Sequence, residues 1–138
     1  MSIPAWLRRE VATRAEHRCE YCQLSQKGQE AVFHVDHIHP VAKGGETVLE
    51  NLALACVSCS LRKGARTHSR DSQTGRDTAL FHPRRDDWQA HFAWKGNRVT
   101  SLTATGRATI DLLKMNRVLI IAIRAEERLH GRHPSKGP

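Results

Sequence analysis

Four cysteines stand in two pairs, Cys19-Glu-Tyr-Cys22 and Cys56-Val-Ser-Cys59, with 33 residues between them. A two-residue gap lets two sulfurs reach one ion from a tight turn, and two such pairs complete the tetrahedral thiolate shell that zinc prefers. Four protein ligands leave no position for water, so an ion held this way is structural. The 138-residue chain is 39% apolar. That is lean for a core that must stand alone, and a metal staple is the expected support.

Lys and Arg number 22 against 14 Asp and Glu, a net charge of +8. Such an excess favours a polyanionic partner by long-range attraction, without separating DNA from RNA or from an acidic membrane surface. The longest apolar run, 118–123, is closed by Arg117 and Arg124 and falls far short of the roughly 20 residues a membrane span needs. Arg8, Arg9 and Glu10 stand where a signal peptide needs an apolar stretch. The expectation is a cytoplasmic protein without membrane contact, in a reducing compartment where paired cysteines serve as metal ligands.

The pattern along the chain predicts an α+β protein read as a single domain, 1–138. An N-terminal helix is expected within 1–18, with Ser2 as N-cap, Pro4 in the first turn and Leu7, Val11 and Ala15 as an apolar stripe that Trp6 extends into the core. Residues 31–37 read as a strand, and Leu52 to Ala55 as a second strand or a short helix. Val57 to Lys63 should form a helix stopped by Gly64. Residues 65–79 are polar and read as a mobile linker. A C-terminal extension spans 80–130: a helical turn within 86–92, a hairpin around Gly96-Asn97, then helix from 104 to 130 with a break that Asn116 caps. The tail 131–138 is expected to be disordered.

The segment between the cysteine pairs carries chemistry-bearing residues: Phe33-His-Val-Asp-His-Ile-His-Pro40, then Gly44-Gly45, then Glu50-Asn51-Leu52. Phosphodiester hydrolysis needs a base for water, a divalent cation on the phosphate and stabilisation of the leaving oxygen. Neutral histidine is a suitable base near pH 7, and a carboxylate is the natural ligand of a hard cation. His34 and Asp36 are two apart and share a strand face, so Asp36 is the candidate anchor for an ion and His34 its helper. Asp36 and His37 are adjacent and point to different sides. Asn51 is placed to hold the His37 ring by a hydrogen bond, and Ser60 faces the same space from the helix after the last cysteine.

Val35-Asp-His-Ile-His-Pro40, with Asn51-Leu-Ala-Leu-Ala-Cys56 and Cys59-Ser-Leu-Arg-Lys-Gly64, resembles the motif of the HNH nucleases. The resemblance implies a ββα-metal (His-Me finger) core over 19–68, stapled by structural zinc at Cys19, Cys22, Cys56 and Cys59. It implies His37 as general base, Asp36 as ligand of a catalytic divalent ion (Mg2+, Mn2+ or Ni2+) and Asn51 as the residue that positions the base. The expected activity is hydrolysis of phosphodiester bonds in DNA, expected to be double-stranded, by a monomer or homodimer. Leu80-Phe-His-Pro-Arg-Arg-Asp-Asp-Trp88, Gln89 to Trp94, Leu102 to Thr109 and Met115-Asn116 resemble the C-terminal part of a group of small bacterial HNH proteins.

The sequence departs from that family at Ser60, where Asn or His is usual. A hydroxyl is a weaker neutral ligand; it can act through a bridging water, or His34, His39 or His68 can substitute. An impaired metal site would instead leave a zinc-stabilised nucleic-acid-binding module, and a zinc-stabilised interaction protein without a nucleic-acid role is the third reading. Arg62 and Lys63 are the candidate phosphate contacts. Arg84 and Arg85 read as a surface cluster paired with Asp86 and Asp87, and Trp88 and Trp94 as core fillers.

Overall fold

The computed structural model describes residues 3–136. Helix α1 covers Ala5–Arg14. Strands β1 (His34–His37) and β2 (Leu52–Ala55) pair antiparallel, with Asp36 opposite Ala53 and His37 opposite Leu52. Helix α2 (Val57–Lys63) follows β2 directly and packs on both strands, while α1 packs against the same pair. All four residues of β2 are buried, because α1 and the strand–helix layer leave it no open side. The short run at 52–55, ambiguous between strand and helix in sequence, is therefore a strand.

Leu7 and Val11 are buried and Ala15 partly so, as the four-residue spacing predicts. Trp6, expected in the core, is 56% exposed. Its position next to Leu7 rotates it off the stripe, since only residues three or four apart share a helix face. Pro4 precedes the helix as its N-cap; Ser2, assigned that role from sequence, lies outside the described residues.

The largest correction concerns 65–79. In place of a linker there is a hairpin, β3 (His68–Arg70) with β4 (Asp77–Ala79). Its tip closes on Asp71, which accepts from the Gln73 N–H and the Thr74 hydroxyl, with Gly75 at φ 73°. A run without apolar residues conceals this anchor, which lies on a partner 36 positions away: Arg107 donates from Nε to Asp71 Oδ1 at 2.9 Å and from Nη2 to Oδ2 at 3.1 Å. Helix α3 (Trp88–His91) leads into β5 (Phe92–Lys95) and β6 (Arg98–Ser101), the hairpin expected around Gly96-Asn97.

Helices α4 (Ala104–Leu113) and α5 (Val118–Leu129) close the chain. The break falls at Lys114, which is left-handed at φ 51°. Asn116 does not cap α5, whose N-cap is Arg117. Its amide instead brackets Val99, accepting from the Val99 N–H at 2.8 Å and donating to the Val99 carbonyl at 2.7 Å. The tail is packed as far as it is described. His133 and Ser135 are buried; His133 Nε2 donates to the Gly96 carbonyl and Trp94 Nε1 to Ser135 Oγ. Residues 137 and 138 of the expected disordered tail lie outside the described residues.

Trp88 is 2% exposed. Its indole N–H donates to the Tyr21 carbonyl at 2.8 Å, tying the C-terminal half to the turn between Cys19 and Cys22. No helix among the described residues is long and apolar enough to cross a membrane.

Candidate functional site

The four cysteines converge although 33 residues separate the pairs. Their Sγ atoms all lie within 4.8 Å of one another, and all four are buried. Cys22 Sγ and Cys56 Sγ are 3.7 Å apart, close to the ~3.8 Å edge of a tetrahedron with ~2.3 Å zinc–sulfur arms. The Cys22 N–H donates to Cys19 Sγ and the Cys59 N–H to Cys56 Sγ, both at 3.4 Å. Cys56 also caps the N-terminus of α2. Burial pushes the Cys19 thiol well above its ordinary value, while S–H donation from Cys19 and its neighbours holds Cys22 well below. Four buried cysteine sulfurs gathered this closely match the donor set of a thiophilic divalent ion such as zinc.

Alternation along β1 puts His34 and Asp36 on one face, and α2, capped at its start by Cys56, carries Ser60 to that face. Ser60 Oγ donates to Asp36 Oδ1 at 2.8 Å, and His34 Nδ1 lies 2.8 Å from Ser60 Oγ. The hydroxyl has one proton and gives it to the carboxylate, so His34 must be the donor to Ser60. The His34 Nε2 lone pair then stays available. All three side chains are half-buried. A carboxylate, an imidazole and a hydroxyl on one open face fit a hard or borderline divalent ion. Of the histidines that could stand in at position 60, His34 is the one that reaches Ser60. His39 is exposed and donates to the Lys43 carbonyl, and His68 lies on β3 against Thr67.

His37 follows Asp36 in the chain. Its Nε2 is 2.8 Å from Thr47 Oγ1. Burial pushes its pKa below the ordinary imidazole value, against the opposing pull of Asp36, which favours the neutral ring. Asn51, expected on the ring, binds backbone instead. Its Oδ1 accepts from the His39 N–H at 2.9 Å, and Nδ2 donates to the carbonyls of His39 at 3.0 Å and Glu46 at 2.8 Å. It therefore fixes the loop after His37, while Thr47 meets the imidazole. Nothing in the sequence singles out Thr47, because its approach depends on the path of the loop from Pro40 to Asn51.

Arg62 is exposed, as a phosphate contact requires. Lys63 is not: it is 2% exposed, and its Nζ donates to the Ile38 carbonyl at 3.2 Å and the His37 carbonyl at 3.5 Å. Burial lowers its pKa. The assignment of Lys63 to nucleic acid gives way to a role beneath the site. Tyr21 was not foreseen either. Its hydroxyl is buried without a hydrogen-bond partner among the described residues; burial and, next, the charge of Asp36 raise its pKa.

Residues 19–66 match the family model described as HNH endonuclease. No curated protein and no solved structure matches the chain.

Proposed function

Taking residues 19–66 as an HNH segment for premise, we propose that the chain is a metal-dependent endonuclease that hydrolyses phosphodiester bonds in duplex DNA, on a ββα-metal core of β1, β2 and α2. The observation that carries this reading is the meeting of Asp36, Ser60 and His34 on one half-buried face, with the neutral His37 beside them. Asp36 and His34 would hold a divalent ion, with the Ser60 hydroxyl as a third ligand. When bound, that ion supplies charge stabilisation for the phosphate and its leaving oxygen. His37 takes a proton from water, which attacks phosphorus in line with the departing 3′ oxygen. The products are a 5′ phosphate and a 3′ hydroxyl. Asn51 fixes the backbone on which His37 is mounted, and zinc in the four-cysteine site would tie the start of α2 to the Cys19–Cys22 turn.

The test is cleavage of plasmid DNA with magnesium, manganese or nickel. Wild type should nick the plasmid and His37→Ala should not; equal nicking by both discards His37 as base. Ser60, at a position where the resemblance leads one to expect Asn or His, favours one competing reading: a module that binds DNA without cutting it. A silent wild type that gains cleavage on Ser60→Asn would establish that alternative.

A further inference from the structure

Residues 66–78 contain no apolar side chain, yet they fold into the β3–β4 hairpin. A two-stranded hairpin is marginal in water without a hydrophobic face. Here Ser69 and Thr78 are the strand residues that are partly shielded. The hairpin lies against α4, and its tip is fixed where the fully buried Asp71 is gripped by Arg107 from that helix. The Arg107 guanidinium holds the Asp71 carboxyl far below the usual carboxylate range. With that anion neutralised internally, the outer surface carries Arg66, Arg70 and Arg76, all exposed, against the single exposed carboxylate of Asp77. The Arg70 guanidinium lies over Gly75 at the turn. A groove joins the base of this hairpin, at Thr67, His68 and Ala79, to the loop that holds the site, at His39, Gly45 and Asn51.

We propose that the β3–β4 hairpin is a DNA-gripping ribbon, in which Arg66, Arg70 and Arg76 contact backbone phosphates of a duplex engaged at the Asp36–His37 site. This rests on the nuclease reading for its substrate. A ribbon seated on α4 that presents three exposed guanidinium groups suits a polyanion, and a two-stranded ribbon is narrow enough for the ~12 Å major groove. The contacts are to phosphate, so they position the duplex without selecting sequence.

Binding is measured by fluorescence anisotropy on a short labelled duplex, with the full-length zinc-loaded chain carrying His37→Ala so that the DNA stays intact. Into this background go Arg66→Ala, Arg70→Ala and Arg76→Ala together. A charge-matched control carries Arg9→Ala, Lys95→Ala and Arg98→Ala, exposed cations on α1 and the β5–β6 hairpin. Loss of three phosphate contacts should make the slope of log K against log salt shallower by about 2–3 and weaken binding by at least roughly tenfold at 0.1 M salt. The control should move the slope by less than about 1 on the same scale. Asp71→Asn, which keeps every arginine but loosens the tip, should weaken binding while circular dichroism stays native. Equal losses in both triple variants would reduce the effect to net charge and overturn the proposal. So would parental affinity in the ribbon triple, or a loss confined to single-stranded DNA. Plasmid cleavage by wild type is read separately, so a failed nuclease reading and a failed ribbon are distinguishable.

Discussion

Asn51 clasps His39 from both sides, taking its N–H at 2.9 Å and giving to its carbonyl at 3.0 Å. A single amide thus closes the loop that begins at His37, and a third bond to the Glu46 carbonyl pins the far strand of that loop. Asn51→Ala removes three hydrogen bonds of about 1 kcal/mol each. The expected result is a loss of roughly 2–3 kcal/mol in urea unfolding and at least tenfold in cleavage rate. Asn51→Asp should be no better: it keeps the acceptor but sets a carboxylate against two carbonyl oxygens. Wild-type rates in Asn51→Asp would show that the clasp is dispensable.

Thr47 is the group that meets the His37 ring. Thr47→Val keeps the shape and removes the hydroxyl; Thr47→Ser keeps the hydroxyl. Cleavage should fall about fivefold in the first, for one hydrogen bond of ~1 kcal/mol, and recover in the second. Matching losses in both variants would point to loop packing in place of ring orientation.

Lys63 separates a structural cation from a DNA contact. Lys63→Met leaves the Ile38 and His37 carbonyls without their ammonium donor, an expected cost of about 1–3 kcal/mol. Its melting temperature should drop, while the salt slope of DNA binding stays at the wild-type value. A shallower slope with unchanged melting would return Lys63 to the phosphate contacts.

Metal removal should be drastic. A four-thiolate zinc site contributes on the order of 10 kcal/mol of folding free energy, comparable to the whole stability of a small domain. A strong chelator under reducing conditions is expected to abolish the cooperative melt, with one zinc released per chain. Cys59→Ser should do the same without chelator. Unchanged circular dichroism after complete zinc loss would refute the staple.

Burial lowers the pKa of His133, as it does that of His82, and the hydrogen bond to Gly96 only partly opposes it. The folded state therefore binds fewer protons than the unfolded one below pH ~6.5. Stability from these groups is present above that pH and is lost as pH falls through 6.5 toward the folded values. The melting temperature should decline between pH 7.5 and 5.5, and His133→Gln should flatten that decline. An identical pH slope in wild type and variant would remove His133 from the account.

Local spacing made the cysteine site legible: both knuckles are set by neighbours in sequence, and only their meeting is long-range. Strand alternation likewise placed His34 beside Asp36, and the helix that starts after Cys56 delivered Ser60. What escaped was decided by loops and distant partners. The targets of Asn51 and Thr47 follow from the path between Pro40 and Asn51, which carries no periodicity. The β3–β4 hairpin depends on Arg107, outside any local window. Lys63 did leave a signal. Cys56, Cys59 and Lys63 follow an i, i+3, i+7 spacing, so the helix face that holds the sulfurs also carries the lysine inward.

The indole of Trp88 reaches across the chain to the peptide carbonyl of Tyr21, inside the first cysteine turn. One end of the staple is thus braced by a residue 67 positions downstream. A fragment trimmed to the recognised motif would expose that carbonyl and strip away the aromatic packing of Phe81 on Tyr21. The segment that matches the HNH model is accordingly no portable cassette: grafted elsewhere, it would need a substitute wall for its first knuckle before it could hold metal.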